Sequence, residues 1–225
     1  MSRTVFLFAA GYGKRLAPLT DTIPKPLTPI GDSTLIERLI RQLHTAGYRD
    51  LIINVCHLAS QITTHLGDGS AYGMRIRYLD ESPTPKETAG ALHHALTIGY
   101  LDNQQPFLAI SADIYTDFPF ASLQTQSVDW AHLVMVPNPP HHPEGDFSCI
   151  EGQIGNQAPK HTFSGIGVYH PEGIITGYHS PRLGAHLSQH SNTGRIHGAL
   201  YHGMWYDVGT LERLAAVRDI ATAAS

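Results

Sequence analysis

The chain has 225 residues, 42% hydrophobic and 15% charged, with 21 glycines, 15 prolines and two cysteines; this composition supports a folded core and excludes disorder, a collagen-like fibre and a disulfide scaffold. Lys and Arg number 15 against 19 Asp and Glu, a formal charge of −4, and the basic residues form no runs, so a general nucleic-acid or membrane-surface role lacks its electrostatic footprint. No apolar segment approaches the ~20 residues of a membrane span, and Cys56 and Cys149 have no CxxC spacing, so the expectation is a cytoplasmic protein with reduced thiols.

Thr4 to Ala9 is a β-branched and aromatic run without polar alternation, which reads as a strand buried on both faces of a parallel sheet. A Gly- and Pro-rich stretch follows, AAGYGKRLAPLTDTIPKPLTP over residues 9–29. From Ser33, the expected N-cap, Leu35, Ile36, Leu39, Ile40 and Leu43 recur at helical spacing, and Gly47 closes the run as a C′ glycine. The pattern then alternates: strand Leu51–Val55, helix Leu58–Leu66, strand Met74–Leu79, helix Thr88–Ile98, strand Phe107–Ile110. Strands alternating with helices mean βαβ units, an α/β class and a ligand crevice at the carboxyl ends of the parallel strands.

Beyond Asp129 the character changes. Ala131–Val136, Ser148–Ile150, Phe163–Tyr169 and Arg195–Tyr201 read as strands separated by loops, and Pro137–Pro143 as a Pro/His-rich loop. A last helix starts at Thr210 and carries Leu211, Leu214, Ala215 and Val217. No linker, low-complexity tract or internal repeat interrupts the chain. One domain over residues 1–225 is expected, with a first half of about 1–128, a second of about 129–209 and a terminal helix at 210–224.

The 9–29 stretch reads as a phosphate loop, since glycines let backbone approach a phosphate and successive N–H groups form an anion nest. It is not a Walker A loop, because Lys14 is followed by Arg15 and Leu16, and the third dinucleotide-fingerprint glycine is replaced by Leu16. A mere turn remains the alternative for the Gly11–Gly13 pair. Lys25 stands between Pro24 and Pro26, which restrict the backbone on both sides and present the cation rigidly. Asp113, beyond the strand Phe107–Ile110, and Asp207, in a Trp- and Tyr-flanked turn, are carboxylates suited to Mg²⁺, which takes one or two carboxylates together with phosphates and water; each also reads as an Asx turn or helix cap.

AAGYGKRLAPLT followed by IPKPLTPI resembles the signature of the sugar-phosphate nucleotidyltransferases. The likeness continues in ETAGAL (Glu87–Leu92), SADIYTD (Ser111–Asp117) and WYDVGT (Trp205–Thr210). Within that family, NPPHHPEGDF (Asn138–Phe147) and TFSGIGVYHP (Thr162–Pro171) are most similar to the branch that uridylylates N-acetylmuramic acid 1-phosphate in cell-wall sugar recycling.

The resemblance implies a Rossmann-like, GT-A-like α/β fold with a mixed, mostly parallel central sheet flanked by helices. It implies UTP and a sugar 1-phosphate as partners in a monomer or small homo-oligomer, and Mg²⁺ as cofactor on Asp113 and Asp207. The nucleotide would lie against Ala10, Gly11, Gly13, Lys25, Glu87, Thr88, Ala89, Gly90 and Ser111. Arg15 and Lys25 would act on the phosphates, and Asn138, Gly145, Asp146 and Gly165 would surround the sugar. Glu87–Gly90 open a helix whose N–H groups suit an anion or a base edge, with plain capping by Thr88 as the alternative.

Ala112 stands where the family has Gly before the first metal Asp, which puts the local geometry in question. The rivals are a transferase for glucose or mannose 1-phosphate using UTP, dTTP or GTP, and a non-catalytic nucleotide-binding module. The latter would have lost Arg15, Lys25, Asp113 or Asp207. His141 and His142 point in different directions as neighbours and do not make a metal site, and His93 and His94 read as structural.

Overall fold

A computed structural model describes residues 3–176 and 178–223. In chain order the elements are β1 (Val5–Phe8), β2 (Pro29–Ile30), β3 (Ser33–Thr34), α1 (Leu35–Thr45), β4 (Asp50–Val55), α2 (Ala59–Leu66) and β5 (Arg75–Asp80). Then follow α3 (Thr88–Thr97), β6 (Phe107–Ser111), β7 (Ile114–Thr116), β8 (Ala131–Val136), β9 (Ser148–Ile150), β10 (Gln153–Gly155) and β11 (Thr162–Tyr169). The chain closes with α4 (Pro171–Ile175), α5 (Leu183–His190), β12 (Ile196–Leu200), β13 (Trp205–Asp207) and α6 (Leu211–Ala223). Residue 224, at the expected end of the last helix, lies outside the described residues.

The chain forms two compact units: residues 1–85, 111–121 and 204–225 make the first, and 86–110 with 122–203 the second. In the first, β1 pairs in parallel with β4, Val5 opposite Leu51, and β4 in parallel with β5. Val5, Phe6 and Leu7 are fully buried, as their unbroken apolar run requires of a central parallel strand. In the second unit β11 lies antiparallel to both β6 and β8, β8 is parallel to β12, and β12 leads antiparallel into the β10–β9 hairpin.

Local chemistry sets the ends of α1. Thr34, not Ser33, is its N-cap: the Thr34 hydroxyl accepts from the Glu37 N–H at 3.3 Å, and Glu37 Oε2 accepts from the Thr34 N–H at 2.8 Å. The cap falls one residue later than expected because Glu37 stands three residues after Thr34 and can close the capping box, whereas Ile36 stands three after Ser33. Gly47, at φ +92°, ends the helix as expected. The inward face buries Leu35, Ile36, Leu39, Ile40 and Leu43, each contributing about 1.5–3 kcal/mol.

Leu35 belongs to a cluster with Leu16, Ile30, Tyr115, Val208, Leu214, Val217 and Ala221. That cluster fastens the glycine-rich stretch, α1, β7 and α6 to one another, and so fixes the loops between them.

Several elements depart from the sequence expectation. β7, β10, β13, α4 and α5 appear where loops were expected. α5 escapes because its inward face includes His186, 1% exposed, so its apolar periodicity is broken by a polar residue. Asp207 ends β13, opposite Ile114 of β7, rather than sitting in an isolated turn. Ala112 is buried and its N–H donates to Phe8 O at 3.1 Å; it is absent from the non-glycine residues with positive φ, so the backbone accepts the methyl group there without strain.

Candidate active site

The first unit gathers the glycine-rich loop, Lys25, Asp113 and Asp207. Where β1 ends, Ala9 N–H donates to Asn54 Oδ1 at 2.7 Å, and Asn54 Nδ2 donates to Glu81 Oε1 at 3.0 Å. Asn54 and Glu81 are 4% and 3% exposed, so this buried relay holds the strand end from below. Neither residue stood out in the sequence, because a polar residue inside an apolar run carries no periodic signal. Nearby, burial pushes the Cys56 thiol up, reinforced by the Glu81 carboxylate, which favours the protonated thiol over the thiolate.

The loop's two glycines differ in kind. Gly13 has φ +63°, and a Cβ there would stand 2.9 Å from Thr20 Cγ2 and 3.3 Å from Lys25 Cβ; its carbonyl accepts from Leu16 N–H at 2.8 Å and from the Thr20 hydroxyl at 3.0 Å. The loop therefore requires Gly13 for its own folding. Gly11 is exposed, lacks a positive φ, and a Cβ there meets nothing within 4 Å. No contact within the chain explains that glycine. Ala10, just before it, is buried.

Lys14–Leu16 forms a 3₁₀ turn, as does Lys25–Leu27, led by Pro24 at φ −61°. Pro26 and Leu27 are buried under that second turn, which leaves Lys25 directed to the carboxylate of Asp113, with which it forms an ion pair. The Lys25 side chain is 12% exposed and that of Asp113 35%.

β7 and β13 carry the second half of the arrangement. Val208 N–H donates to Asp113 O at 2.8 Å, which brings the two carboxylate-bearing segments side by side although 94 residues (207 − 113) separate them. Arg213 Nη1 lies 2.9 and 2.8 Å from the two oxygens of Asp207. Thr210 caps α6 by accepting from Arg213 N–H at 3.3 Å, so the helix start orients Arg213 toward Asp207. A Cβ on Gly209 would stand 3.1 Å from Arg15 Nη2 and would also collide with the Arg213 guanidinium. Arg15 and Arg213 therefore converge beside Gly209.

Sequence reasoning missed Arg213; its position six residues after Asp207, on the first turn of the following helix, was the available signal. The result is two carboxylates, each neutralised by its own cation, with Arg15 as a third positive group. Ser111, half-buried at the end of β6, precedes this group.

The second unit holds the remaining candidates, each of which makes contacts within that unit. Glu87, at φ +62°, is the N-cap of α3, without a side-chain cap, and Thr88 does not cap that helix: its hydroxyl accepts from Leu183 N–H at 2.8 Å. The N–H groups of Ala89 and Gly90, expected to face an anion, both donate to Pro181 O, at 2.7 and 3.0 Å. Both residues are buried, with the Tyr178 hydroxyl and Pro181 packed over Gly90. The segment before α5 thus satisfies the helix terminus that the sequence left open.

Asn138 is likewise engaged within its own loop. Its Nδ2 donates to Pro143 O and Lys160 O at 2.9 and 3.0 Å, and its Oδ1 accepts from the Thr162 hydroxyl at 2.9 Å. Asp146 accepts from Phe163 N–H at 2.8 Å and pairs with His142 at 3.2 Å. Gly145, at φ +63°, admits no Cβ, which would lie 2.7 Å from Asn138 Oδ1. Gly165, at φ +79°, sits where the β11–β8 register shifts between Phe163 and Ile166. These residues first of all build the loop and bulge.

The family model described as nucleotidyl transferase matches residues 4–164. The chain belongs to the nucleotidyl transferase family. This nucleotidyltransferase is 41% identical over 232 aligned positions to the N-acetylmuramate alpha-1-phosphate uridylyltransferase of Neisseria meningitidis serogroup B, covering 96% of this chain and 97% of the relative. A second N-acetylmuramate alpha-1-phosphate uridylyltransferase, from Caulobacter vibrioides, is 27% identical with 98% of both chains covered.

Among solved structures, one from Bacillus anthracis assigned as a glucose-1-phosphate thymidylyltransferase, in complex with sucrose, superimposes with a TM-score of 0.82 at 18% identity, over 97% of this chain and 94% of that one. The nucleotidyltransferase therefore has the expected Rossmann-like α/β fold with a mixed, mostly parallel central sheet flanked by helices. Among its described residues no helix is long and apolar enough to cross a membrane. Enzymes of this family generally act with a divalent metal.

Proposed function

We propose that the chain transfers the uridylyl group of UTP to the phosphate of N-acetylmuramic acid α-1-phosphate, releasing pyrophosphate, and that it does so in the cytoplasm, where nucleoside triphosphates are supplied. The observation that carries the chemistry is the pairing of Lys25 with Asp113 and Arg213 with Asp207, with Arg15 beside Gly209. The near full-length likeness to the Neisseria uridylyltransferase supports the substrate pair.

The reaction joins two polyanions. An oxygen of the sugar phosphate bonds to the α-phosphorus of UTP while the bond from that phosphorus to the bridging oxygen of the β-phosphate breaks, and the electron pair leaves on pyrophosphate. A sugar 1-phosphate is already ionised near pH 7, its second pKa being ~6, so no general base is required. Catalysis then consists of alignment and charge neutralisation. Ala10, Gly11 and Gly13 contribute backbone to the triphosphate, Arg15 attracts the departing phosphates, and Lys25 steadies the α-phosphate. Ser111 lies toward the nucleoside.

The donor set of Asp113 and Asp207 fits a hard divalent cation such as Mg²⁺: both offer carboxylate oxygens, Asp113 from the turn just before β7 and Asp207 from the end of β13 paired with it, and both keep part of their surface exposed. When bound there, Mg²⁺ supplies Lewis-acid polarisation of the phosphoryl oxygens. Lys25 and Arg213 hold the two carboxylates in place beforehand. In the second unit, Glu87, Thr88, Ala89 and Gly90 are the residues proposed for the nucleotide, and Asn138, Gly145, Asp146 and Gly165 those proposed for the sugar.

The test is pyrophosphate release with Mg²⁺, UTP and N-acetylmuramic acid 1-phosphate, beside glucose, N-acetylglucosamine and mannose 1-phosphates and the other triphosphates. Preference for the muramic substrate with UTP is expected. Preference for another pair overturns the substrate assignment, and no turnover on any pair overturns the catalytic one.

A further inference from the structure

We propose that His179, His186 and His190 form a binding site for a transition-metal cation of the zinc class, in the second unit and separate from the Asp113 and Asp207 carboxylates. His186 and His190 stand one turn apart on α5 and so share a face, and His179 approaches from the segment that leads into the helix. One ring nitrogen from each lies within 4.8 Å of the others. The ring centroids are 5.0 Å apart for His186 and His190, 5.6 Å for His179 and His186, and 5.9 Å for His179 and His190. Three nitrogens on a tetrahedral zinc ion stand about 3.4 Å apart, given Zn–N bonds of ~2.0–2.1 Å. Small rotations of the imidazoles close the difference.

The second observation is the state of the nitrogens. His186 is 1% exposed, and its Nε2 lies 2.7 Å from Gly173 O. A carbonyl only accepts, so Nε2 carries the proton and Nδ1 holds a lone pair. That Nδ1 is buried and makes no hydrogen bond, and His190 Nε2 is buried in the same condition. Buried polar atoms in native folds normally find partners; a shared cation supplies one for both. An imidazole oriented by an N–H to carbonyl bond while its other nitrogen faces the ion is the usual outer arrangement of a histidine ligand.

The segment the ion would fasten is the one that covers α3. Pro181 O takes the Ala89 and Gly90 N–H groups, and Tyr178 stacks on His93 at 4.4 Å. A cation on His179 ties this segment to α5 at its other side and so stabilises its packing on the start of α3. Zinc suits three imidazoles with water in the fourth position, whereas Mg²⁺ prefers oxygen ligands.

The experiment uses the full chain without an affinity tag, stripped by chelator and held in excess Mg²⁺ so that carboxylate sites are filled. Co²⁺ is titrated in, followed by Zn²⁺. One equivalent of Co²⁺ with the intense visible bands of tetrahedral nitrogen coordination, displaced by Zn²⁺, is expected, together with a Zn²⁺-dependent rise in melting temperature. His179→Ala changes an exposed side chain and leaves the fold intact; it and His190→Ala should each weaken Co²⁺ binding by about tenfold or more. His141→Ala, on a different loop, should leave it unaltered. Absence of tetrahedral Co²⁺ binding in the wild type, unchanged affinity in both His179→Ala and His190→Ala, or loss in His141→Ala overturns the assignment. None of these readouts depends on turnover, so the site stands or falls independently of the uridylyltransferase reading.

Discussion

Replacing Gly13 and Gly11 separately by Ala distinguishes a glycine the fold needs from one the ligand needs. At Gly13 the backbone sits at φ +63°, where an L side chain costs about 1–2 kcal/mol. The new methyl would also lie 2.9 Å from Thr20 Cγ2 and 3.3 Å from Lys25 Cβ, a mild overpacking that adds about 1 kcal/mol. The sum, about 2–3 kcal/mol, lowers the melting temperature by about 4–12 °C for a chain of this size. At Gly11 neither term exists, because φ is not positive and no atom lies within 4 Å, so stability should stay within about 0.5 kcal/mol. If the Gly11 backbone approaches the triphosphate, Gly11→Ala should nevertheless lower kcat/KM for UTP by about tenfold or more, on the order of 1.4 kcal/mol of lost transition-state binding. Thermal melts followed by circular dichroism and steady-state pyrophosphate release read the two effects. Equal destabilisation by both substitutions, or wild-type kcat/KM in Gly11→Ala, refutes the distinction.

Asp113→Ala and Asp207→Ala, each checked for retained circular dichroism, should lower turnover by on the order of a hundredfold; turnover near wild type would remove both as metal ligands. Lys25→Ala should depress kcat as well as raise KM, and a change in KM alone would reduce Lys25 to ground-state binding. Thr34→Ala breaks the capping box of α1 and should cost about 1 kcal/mol in denaturant melts, with no loss expected if Ser33 were the cap. Arg195 beside Asp129 and Glu172 holds both carboxyls below their ordinary values. The stability this pairing provides is therefore present above about pH 4–5 and fades as pH falls through the depressed values. The melting-temperature gap between wild type and Arg195→Gln should be widest near neutrality and close in acid; a gap independent of pH would contradict the pairing.

What could be read from sequence was what short-range chemistry determines. The unbroken apolar run at Thr4–Ala9 could only be a buried strand, and β1 is one. The spacing of Leu35, Ile36, Leu39, Ile40 and Leu43 could only be a helix with one buried face. Two prolines around Lys25 announced a fixed cation, and two glycines before it a tight loop. Where expectation shifted by a residue, as at the α1 cap, the reciprocal bonds of Thr34 with Glu37 decided the matter.

What stayed hidden depends on partners distant along the chain. Arg213 gains its meaning only when β13 lies against β7 and places Asp207 beside Asp113. Asn54 is a blemish in an apolar strand until Ala9 and Glu81 meet it. Ala89 and Gly90 look like an open helix terminus until Pro181 fills it, and nothing in the segment around Asn138 announces that Lys160 and Thr162 anchor its amide. His186 obscured α5 because a residue type counted as polar occupies a core position there. Local propensity and periodicity are written in neighbouring residues, so the sequence by itself determined the α/β class, the glycine loop and the identity of the charged groups. Which charge neutralises which, and which backbone donors remain for a ligand, is settled by long-range packing, and that only the tertiary structure decided.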